Sequence, residues 1–320
     1  MTSISCLIVS DIHNEWPYSK AHPAPKVDVL IHCGDLTQYG GLPSLERALN
    51  NINSVDAELR LVIASNHDVD LDPLWFEQFA EDDDDIEIGA KCLSLIKSQK
   101  EHGTHYLEEG VHSFVLNDGR SFKVYATPYT PRFGEFAFLY GEDEDRFNEG
   151  ANVIAEGVDI VVPPAFPMIP TYKLDINREG EHCGCEKVSQ ALRRAKPRLC
   201  CFGHIHEGRG VAKVDWAAGR LNHVFTNDKT IEFVRSGGIN LAETLLVNAV
   251  IVGDAKGWLV NIEFRSYNQK FCYCIGPHGA TTQYLGLSKS LSTIRLVHPV
   301  LRVIMGFQLV VYGTSFSATT

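Results

Sequence analysis

The stretch LIVSDIHN, residues 7–14, is an apolar run that ends on the polar residues Asp11 and His13. Three later apolar runs also end on polar residues: 27–33 before Gly34-Asp35, 59–64 before Ser65-Asn66-His67-Asp68, and 198–202 before Gly203-His204-Ile205-His206. Short apolar runs of this kind predict buried β-strands. Because ligands collect beyond the carboxyl ends of strands in open α/β sheets, the four runs predict one shared polar site.

Helical patterns between these runs complete an α/β alternation. Residues 43–52 place Leu45, Ala48, Leu49 and Ile52 at helical spacing, and a second helix is expected to begin at Pro73. Further helices are predicted over residues 92–100 and 188–196. Additional strands are predicted over 111–116 and 121–126, paired around Asp118-Gly119, and over 157–162, 245–252 and 258–264, the last two joined by a turn. The acidic run 81–85 is expected to be a solvated loop.

Composition narrows the class of protein. The chain has 320 residues, a mass of 35.6 kDa and a formal net charge of −11, which disfavours general nucleic acid binding. No apolar run is long enough for a membrane span, and the first residues resemble a strand rather than a signal peptide. The nine cysteines, an odd number, indicate reduced thiols in a cytoplasmic protein. Their C-x-C spacings do not match zinc ribbons.

The residue types at the strand ends point to metal chemistry. Carboxylate oxygen and imidazole nitrogen form the ligand set of Mn, Fe and Zn hydrolases. In an extended chain, the side chains of Asp11 and His13 face the same side, and so do those of His204 and His206. Each histidine alone is better explained by core or surface packing. Four such clusters in order, each at a strand end, favour a metal site instead.

These motifs identify a resemblance. The ordered set D-x-H, G-D, N-H-D and G-H-x-H resembles the calcineurin-like metallophosphoesterase superfamily. The stretches VYATPYTPRFGEFAF (124–138) and KPRLCCFGHIHEGRG (196–210) are similar to its single-domain branch of metallophosphoesterase-domain proteins and their fungal homologues. The resemblance implies an α/β fold of two packed mixed β-sheets flanked by helices. It covers residues 4–264, so we expect a metallophosphoesterase domain at 1–264 and a C-terminal extension of uncertain structure at 265–320.

The resemblance also implies roles for the polar residues. It places one ion on the following side chains: Asp11, His13, Asp35 and His206. Asp35 would bridge to a second ion that is also held by Asn66 and His204. His67 would protonate the leaving oxygen or hold the phosphate, and Asp68 would orient His67. The two divalent ions are expected to be Mn²⁺ or Fe/Zn.

The implied activity is hydrolysis of a phosphomonoester or phosphodiester by a metal-activated hydroxide. The expected partner is a small phosphorylated substrate, with no membrane, and the oligomeric state stays open. The aromatic loop 129–138 either stacks on a nucleobase or packs against the core. Arg132 and Arg209 either contact phosphate or are solvated.

The chain departs from the family pattern in two places near the site. The T-H-G-P-P-like histidine of the second ion is absent, because the strand ending at Val162 continues into the run PPAFP, residues 163–167. The simplest alignment places Pro164 at the missing ligand, and a proline side chain cannot bind a metal. We therefore expect a weakened second site unless His182 substitutes. The alternative function is an inactive or weakened metal-binding pseudoenzyme of the same fold.

The other departure is Ser65, which stands where the family has a glycine. If the backbone there requires a positive φ, serine is strained.

The first testable prediction concerns residues 265–320. All proposed ligands lie between Asp11 and His206, so a chain truncated after residue 265 should fold and bind metal like the full chain. Circular dichroism and elemental analysis of both proteins check this. An insoluble or metal-free truncated chain would show that the last 55 residues complete the core.

Overall fold

The computed structural model describes residues 2–80, 83–169, 173–217, 220–226, 233–235, 243–251 and 255–264, and four short strands beyond them. The chain divides into two compact units, residues 1–265 and 266–320. The predicted assignment of a phosphoesterase domain to residues 1–264 stays a prediction.

The elements of the first unit alternate between strands and helices up to about residue 106, and strands predominate in the later described residues. Its described helices are α1 (Leu42–Asn53), α2 (Pro73–Phe79), α3 (Asp83–Ser98) and α4 (Glu186–Ala195). Its described strands are β1 (Thr2–Val9), β2 (Val27–His32), β3 (Ala57–Val62), β4 (Thr104–Tyr106), β5 (Gly110–Val115), β6 (Ser121–Ala126), β7 (Thr130–Pro131), β8 (Leu139–Tyr140), β9 (Ile160–Val162), β10 (Leu199–Phe202), β11 (Gly210–Asp215), β12 (Arg220–Thr226), β13 (Phe233–Arg235), β14 (Glu243–Asn248) and β15 (Trp258–Phe264).

The second unit is described at two antiparallel strand pairs. One pair is β16 (Cys272–Ile275) with β17 (Thr281–Tyr284), and the other is β18 (Arg302–Ile304) with β19 (Phe307–Leu309).

Two mixed sheets form the centre of the first unit. The first sheet has the strand order β13-β15-β1-β2-β3-β4, and β1 to β4 run parallel beside an antiparallel β15. The second has the order β12-β11-β14-β10-β9-β6-β5, with β6, β9, β10 and β14 parallel. The carboxyl ends of β1, β2 and β3 therefore lie side by side, and so do those of β9 and β10. This arrangement confirms the predicted α/β fold of two mixed sheets flanked by helices.

Alternation along the strands explains the layers. Ile4, Cys6 and Ile8 of β1 belong to the cluster that also contains Leu199 and Cys201 of β10, so this cluster fills the space between the sheets. Residues of opposite parity face outward because successive strand side chains point to opposite faces. Leu7 and Val9 of β1 pack in the cluster that holds the buried faces of α1 and α3. Cys200 and Phe202 of β10 pack in the cluster that holds α4.

One local prediction is wrong. The acidic residues 83–85 form the first turn of α3 rather than a loop, because negative charge at a helix N-terminus is stabilised by the helix dipole. Residues 81–82 of that run lie outside the described residues. The predicted strands 245–252 and 258–264 are observed as β14 and β15, which lie in different sheets, and the predicted turn at Gly253-Asp254 lies outside the described residues. Among the described residues, no helix has the length and apolar character needed to cross a bilayer.

An ion pair between Arg120 and Asp28 ties the two sheets together near the first residues of β6 and β2. Arg120 precedes β6 of the second sheet, and its Nη1 and Nη2 atoms donate to the two carboxylate oxygens of Asp28 on β2 at 3.0 and 2.8 Å. Asp28 also accepts hydrogen bonds from the backbone and hydroxyl of Ser5. The hydrogen bond from Arg120 lowers the pKa of Asp28 to about 2, against the opposing effect of burial.

The second testable prediction is that Arg120→Ala lowers the free energy of unfolding by about 1–3 kcal/mol, since it removes a charged, two-point hydrogen bond. Urea denaturation measures this. The deficit should shrink as the pH falls from about 4 towards 2, because the folded-state pKa of Asp28 is depressed and its carboxylate becomes protonated there.

The matched control is Lys26→Ala, which breaks an ion pair with Asp56 whose side chains are 79% and 69% exposed. Exposed pairs contribute at most about 1 kcal/mol. Equal losses in the two variants would contradict a tie between the sheets at Arg120.

Candidate metal centre

The polar strand ends of the two sheets meet through backbone hydrogen bonds. The N–H of His204, after β10, donates to both carboxylate oxygens of Asp11, after β1, at 2.8 and 3.0 Å. The N–H of His67, after β3, donates to Oδ1 of Asp35, after β2, at 3.1 Å. Each carboxylate thus holds the loop of another strand, and all four sequence motifs reach one region of the structure.

The backbone at these positions is left-handed. The φ angles of Asp11, His13, Asp35 and His204 are 54°, 42°, 54° and 74°. The expectation that Asp11 and His13 share a face of an extended chain is therefore wrong in its geometry, although the two side chains do converge. Non-glycine residues rarely adopt this conformation, and such residues cluster where function requires a fixed geometry.

A glycine allows the two sheets to approach at this point. A Cβ atom on Gly203 would overlap the Asp11 carboxylate and the Ser10 side chain. The glycine of the G-H-x-H motif is therefore required by the closeness of β1 and β10.

The first group of possible metal ligands is Asp11, His13 and His206. Their donor atoms all lie within 4.8 Å of one another. Nε2 of His206 is 3.6 Å from Oδ1 of Asp11 and 3.4 Å from Nε2 of His13. Two ring nitrogens and a carboxylate oxygen facing one another are the donor set that Mn, Fe or Zn binds. These three residues were predicted to hold one ion, and the structure brings them together.

Electrostatics keep the carboxylate of Asp11 ionised. Burial acts to raise its pKa, but the contacts with His206, Ser10 and the backbone N–H of His204 outweigh this effect and lower the pKa to about 2. The same contact with Asp11 raises the pKa of His206. A metal ligand must be deprotonated, and Asp11 meets that condition at neutral pH.

Asp35 is a buried carboxylate that needs a cation. It is 2% exposed, and burial together with the nearby charges of Asp11 and Asp68 raises its pKa well above the usual range. Such a site costs free energy unless a positive charge compensates it. The donor atoms of Asp35, His13 and His67 form a second cluster within 4.8 Å of one another, which places Asp35 close to His13, its predicted partner on the first ion. His67 appears in this cluster, although the sequence suggested a role in proton transfer.

Asn66 and His204 form the remaining pair of predicted ligands. Oδ1 of Asn66 lies 2.9 Å from Nδ1 of His204, a separation that is compatible with both atoms binding one ion. Burial lowers the pKa of His204 to about 4, so its imidazole is neutral at neutral pH, as metal binding requires. Nδ2 of Asn66 is buried without a hydrogen-bond partner.

The segment that lacks the expected histidine reaches this pair. The ring of Phe166 stacks on the His204 ring with centroids 5.9 Å apart and an interplanar angle of 23°. The residues before it, 163–165, are buried and supply no imidazole. Nδ1 of His182 lies 2.8 Å from Oδ1 of Asp175, and neither ligand cluster in the described part of the chain includes His182. The structure thus gives no support to His182 as a substitute ligand.

Ser65 is not strained in the way that its motif suggested. Among the described residues, it is absent from those with positive φ. Its hydroxyl hydrogen bonds to Oδ1 of Asn66 at 3.1 Å.

The predicted contact between Asp68 and His67 is wrong. The Asp68 carboxylate instead accepts hydrogen bonds from the backbone N–H groups of Leu36, Thr37 and Ser65, at 3.3, 3.0 and 3.0 Å. It therefore joins the loop that carries Asp35 to the loop that carries Asn66. The physical reason is proximity, because β2 and β3 are adjacent and their loops present unpaired N–H groups that a buried carboxylate must satisfy.

Backbone carbonyls orient the two histidines of these loops. Nδ1 of His67 lies 2.6 Å from the carbonyl oxygen of Gln38. Nδ1 of His13 lies 3.3 Å from the carbonyl oxygen of Thr37. Because a carbonyl only accepts, each Nδ1 carries the hydrogen and each Nε2 is left for a metal or a substrate. Sequence reasoning missed both partners, since a backbone carbonyl has no signature in the residue types.

The third testable prediction is that Asp35→Asn loses bound metal. It also removes a buried carboxylate, so in the absence of metal the variant should unfold at a higher urea concentration than the wild type. Elemental analysis after dialysis and urea denaturation with a chelator measure the two effects.

The matched control is Asp175→Asn, which alters an equally buried carboxylate whose partner is His182. Its metal content should equal that of the wild type. Unchanged metal in Asp35→Asn, or a loss of metal in Asp175→Asn, would contradict the assignment of Asp35.

Comparisons with known proteins identify relatives of this chain. Probable rhamnogalacturonate lyase C of Emericella nidulans is 32% identical over 215 residues, which cover 67% of this chain and 18% of that protein. Metallophosphoesterase domain-containing protein 1 of Homo sapiens is 32% identical over 212 residues, covering 63% of this chain and 60% of that protein. The chain thus spans less than two thirds of the length of either relative.

Among solved structures, a Thermus thermophilus protein designated TT1561 superposes with a TM-score of 0.37 and 9% identity, over 69% of this chain and 98% of that chain. The sequence model described as calcineurin-like phosphoesterase matches residues 4–208. That range contains every candidate ligand from Asp11 to His206. The chain belongs to the calcineurin-like phosphoesterase family.

Proposed function

We propose that this protein is a metal-dependent phosphoesterase that hydrolyses a phosphomonoester or phosphodiester of a small substrate. The observation that supports this most strongly is the convergence of Asp11, His13 and His206, whose donor atoms lie within 4.8 Å of one another. Family membership supports the same reaction class. Manganese is the proposed metal, with iron or zinc as the other choices that this donor set suits.

Charge at the site favours a phosphate group. Divalent ions bound there would lower the pKa of a bound water and neutralise charge on a phosphoryl oxygen. The carboxylates of Asp11 and Asp35 would neutralise part of the positive charge of the two ions. The side chain of Asn66 would contribute an uncharged oxygen. The centre therefore keeps a net positive charge when two ions are bound, although the whole chain carries a formal net charge of −11.

His67 is the proposed proton donor to the leaving oxygen. Its Nδ1 is fixed on the Gln38 carbonyl at 2.6 Å, so Nε2 is the atom that can exchange a proton with substrate. Its backbone N–H holds the Asp35 carboxylate, which keeps the ring beside the metal ligands. General acids need this kind of fixed placement within hydrogen-bond reach of the leaving group.

The second candidate is a metal-binding pseudoenzyme, and the contact between Phe166 and His204 favours it. An apolar ring stacks on His204, and the segment 163–167 contributes no histidine. Bound metal discriminates between the two proposals, because close to two ions per chain supports the enzyme and one or none supports the pseudoenzyme.

We also propose a cellular location and a class of binding partner for the protein. Cysteines at seven described positions are unpaired, which supports a cytoplasmic location. The acidic net charge supports a small phosphorylated partner rather than nucleic acid.

The fourth testable prediction joins activity to His67. With added Mn²⁺, the wild type should hydrolyse nitrophenyl phosphate monoesters or diesters. His67→Ala should keep its metal and lose about 10²- to 10⁴-fold in kcat, the usual contribution of a general acid. The loss should be greater for esters of less acidic alcohols, whose leaving oxygen depends more on the proton.

His112→Ala serves as the control, since His112 contacts the Glu108 carbonyl outside the ligand clusters. Absence of hydrolysis by the wild type across the panel would contradict the phosphoesterase proposal. A near-native rate for His67→Ala on an ester of a weakly acidic alcohol would contradict the role of His67.

A further inference from the structure

Two phenylalanines of the loop 132–137 contact two histidines of the candidate metal centre. The Phe133 ring lies edge-on to the His204 ring, with centroids 4.9 Å apart and an interplanar angle of 67°. The centroids of the Phe136 and His67 rings lie 4.8 Å apart, with an interplanar angle of 46°. The two phenylalanine rings lie 5.2 Å from each other at 33°, so they form a continuous aromatic surface beside the site.

This pair of rings, Phe133 and Phe136, is open to a ligand. Phe133 is 37% exposed, and Phe136 is partly exposed. A large apolar side chain that is exposed beside a polar site provides contact area for the organic part of a ligand.

Hydrogen bonds fix the loop that carries the pair. The N–H of Ala137 donates to the carbonyl of Asn66 at 3.1 Å, which ties the loop to a predicted metal ligand. Nε1 of Trp75 donates to the carbonyl of Glu135 at 3.2 Å. The N–H of Phe138 donates to the Asp72 carboxylate at 2.7 Å. These contacts hold the rings in place before a ligand binds, which reduces the entropy lost on binding.

A glycine lets the two rings meet. Gly134 has a φ of +55°, and a Cβ atom there would approach the Phe136 ring to 3.3 Å. Because Gly134 has no side chain, it can adopt this positive φ and turn the chain between Phe133 and Phe136.

The proposed chemistry places the organic part of the substrate beside this pair. If His67 protonates the leaving oxygen, that oxygen lies within hydrogen-bond reach of the His67 ring. The carbon skeleton attached to the oxygen then lies near the Phe136 ring, 4.8 Å from His67. The metal centre recognises the phosphate, and the two rings contact what the phosphate is esterified to. Aromatic groups prefer such surfaces because ring pairs gain free energy beyond simple burial.

We propose that Phe133 and Phe136 determine substrate specificity by selecting phosphate esters whose alcohol carries an aromatic ring. This inference rests on the proposed phosphoesterase function and names its substrate class. Phe136 contacts the ring of the leaving group directly, and Phe133 extends the surface towards His204.

The experiment measures binding rather than turnover. Calorimetry on the full chain with saturating Mn²⁺ compares phenylphosphonate with cyclohexylphosphonate, which has a similar size and apolar character without the aromatic ring. Neither compound can be hydrolysed at the phosphorus–carbon bond, so binding is measured even if the protein is inactive. The wild type should bind phenylphosphonate about 3- to 10-fold more tightly, the range typical of an aromatic pair.

Variants assign this preference to the two rings. Phe136→Leu and Phe133→Leu keep apolar volume and should each reduce the preference, and the double variant should abolish it. Phe136→Trp keeps a ring and should retain it. The matched control is Phe79→Leu, because Phe79 is also 37% exposed but packs on Trp75. Its preference should equal that of the wild type.

Three outcomes would overturn the inference: equal affinities for the two compounds, an unchanged preference in the double leucine variant, or no binding of either compound. If the preference follows the rings while no ester is hydrolysed, the inference on specificity stands and the proposed hydrolysis alone fails.

Discussion

The Asp11 carboxylate joins the two sheets at their carboxyl ends, and the candidate site depends on that junction. It accepts the backbone N–H of His204 from the second sheet while its own residue follows β1 of the first. Gly203 is required because any side chain there would overlap the carboxylate. Candidate ligands from the two sheets therefore converge because of one short acidic side chain, one glycine and the left-handed backbone of Asp11 and His204.

The same convergence concentrates negative charge in the interior. Asp11, Asp35 and Asp68 are each at most 3% exposed, and burial raises the pKa values of Asp35 and Asp68, the latter to about 6. Asp68 offsets this cost by accepting hydrogen bonds from three backbone N–H groups. Asp11 accepts the backbone N–H of His204 and has the His206 ring beside it. Asp35 accepts a hydrogen bond from the backbone N–H of His67, but the nearby charges of Asp11 and Asp68 oppose its ionisation, and a bound cation would favour it. The buried charge that disfavours the metal-free fold is therefore the charge that a bound cation would neutralise.

Much of the fold and of the site composition follows from the sequence, because each motif directly follows an apolar run. The parallel order of β1, β2 and β3 then places Asp11, Asp35 and Asn66 side by side. His204 follows β10 of the second sheet and meets Asp11 across the two sheets. The local backbone conformation cannot be predicted from the sequence, because the motif spacing is compatible with either an extended or a left-handed backbone at His13. The partners of Asp68 and His67 were also unpredictable.

Those partners are backbone groups of neighbouring loops, which residue types do not encode. The contacts of Phe133 and Phe136 with the histidines depend on the path of a loop that hydrogen bonds to Asn66 and Asp72. From residue types alone, core packing and base stacking both stayed open for that loop. The acidic run at 83–85 forms a helix because its charges lie at the helix N-terminus, where a composition rule for loops does not apply.

Anomalous diffraction from crystals of the full chain grown with limiting Mn²⁺ tests the metal centre most directly. The strongest anomalous peak should lie among Asp11, His13, Asp35 and His206, with a weaker peak, filled only at higher Mn²⁺, beside Asn66 and His204. A strongest peak elsewhere, such as between Asp175 and His182, or no peak at these residues at any concentration, would contradict the assignment of these strand ends as a metal centre.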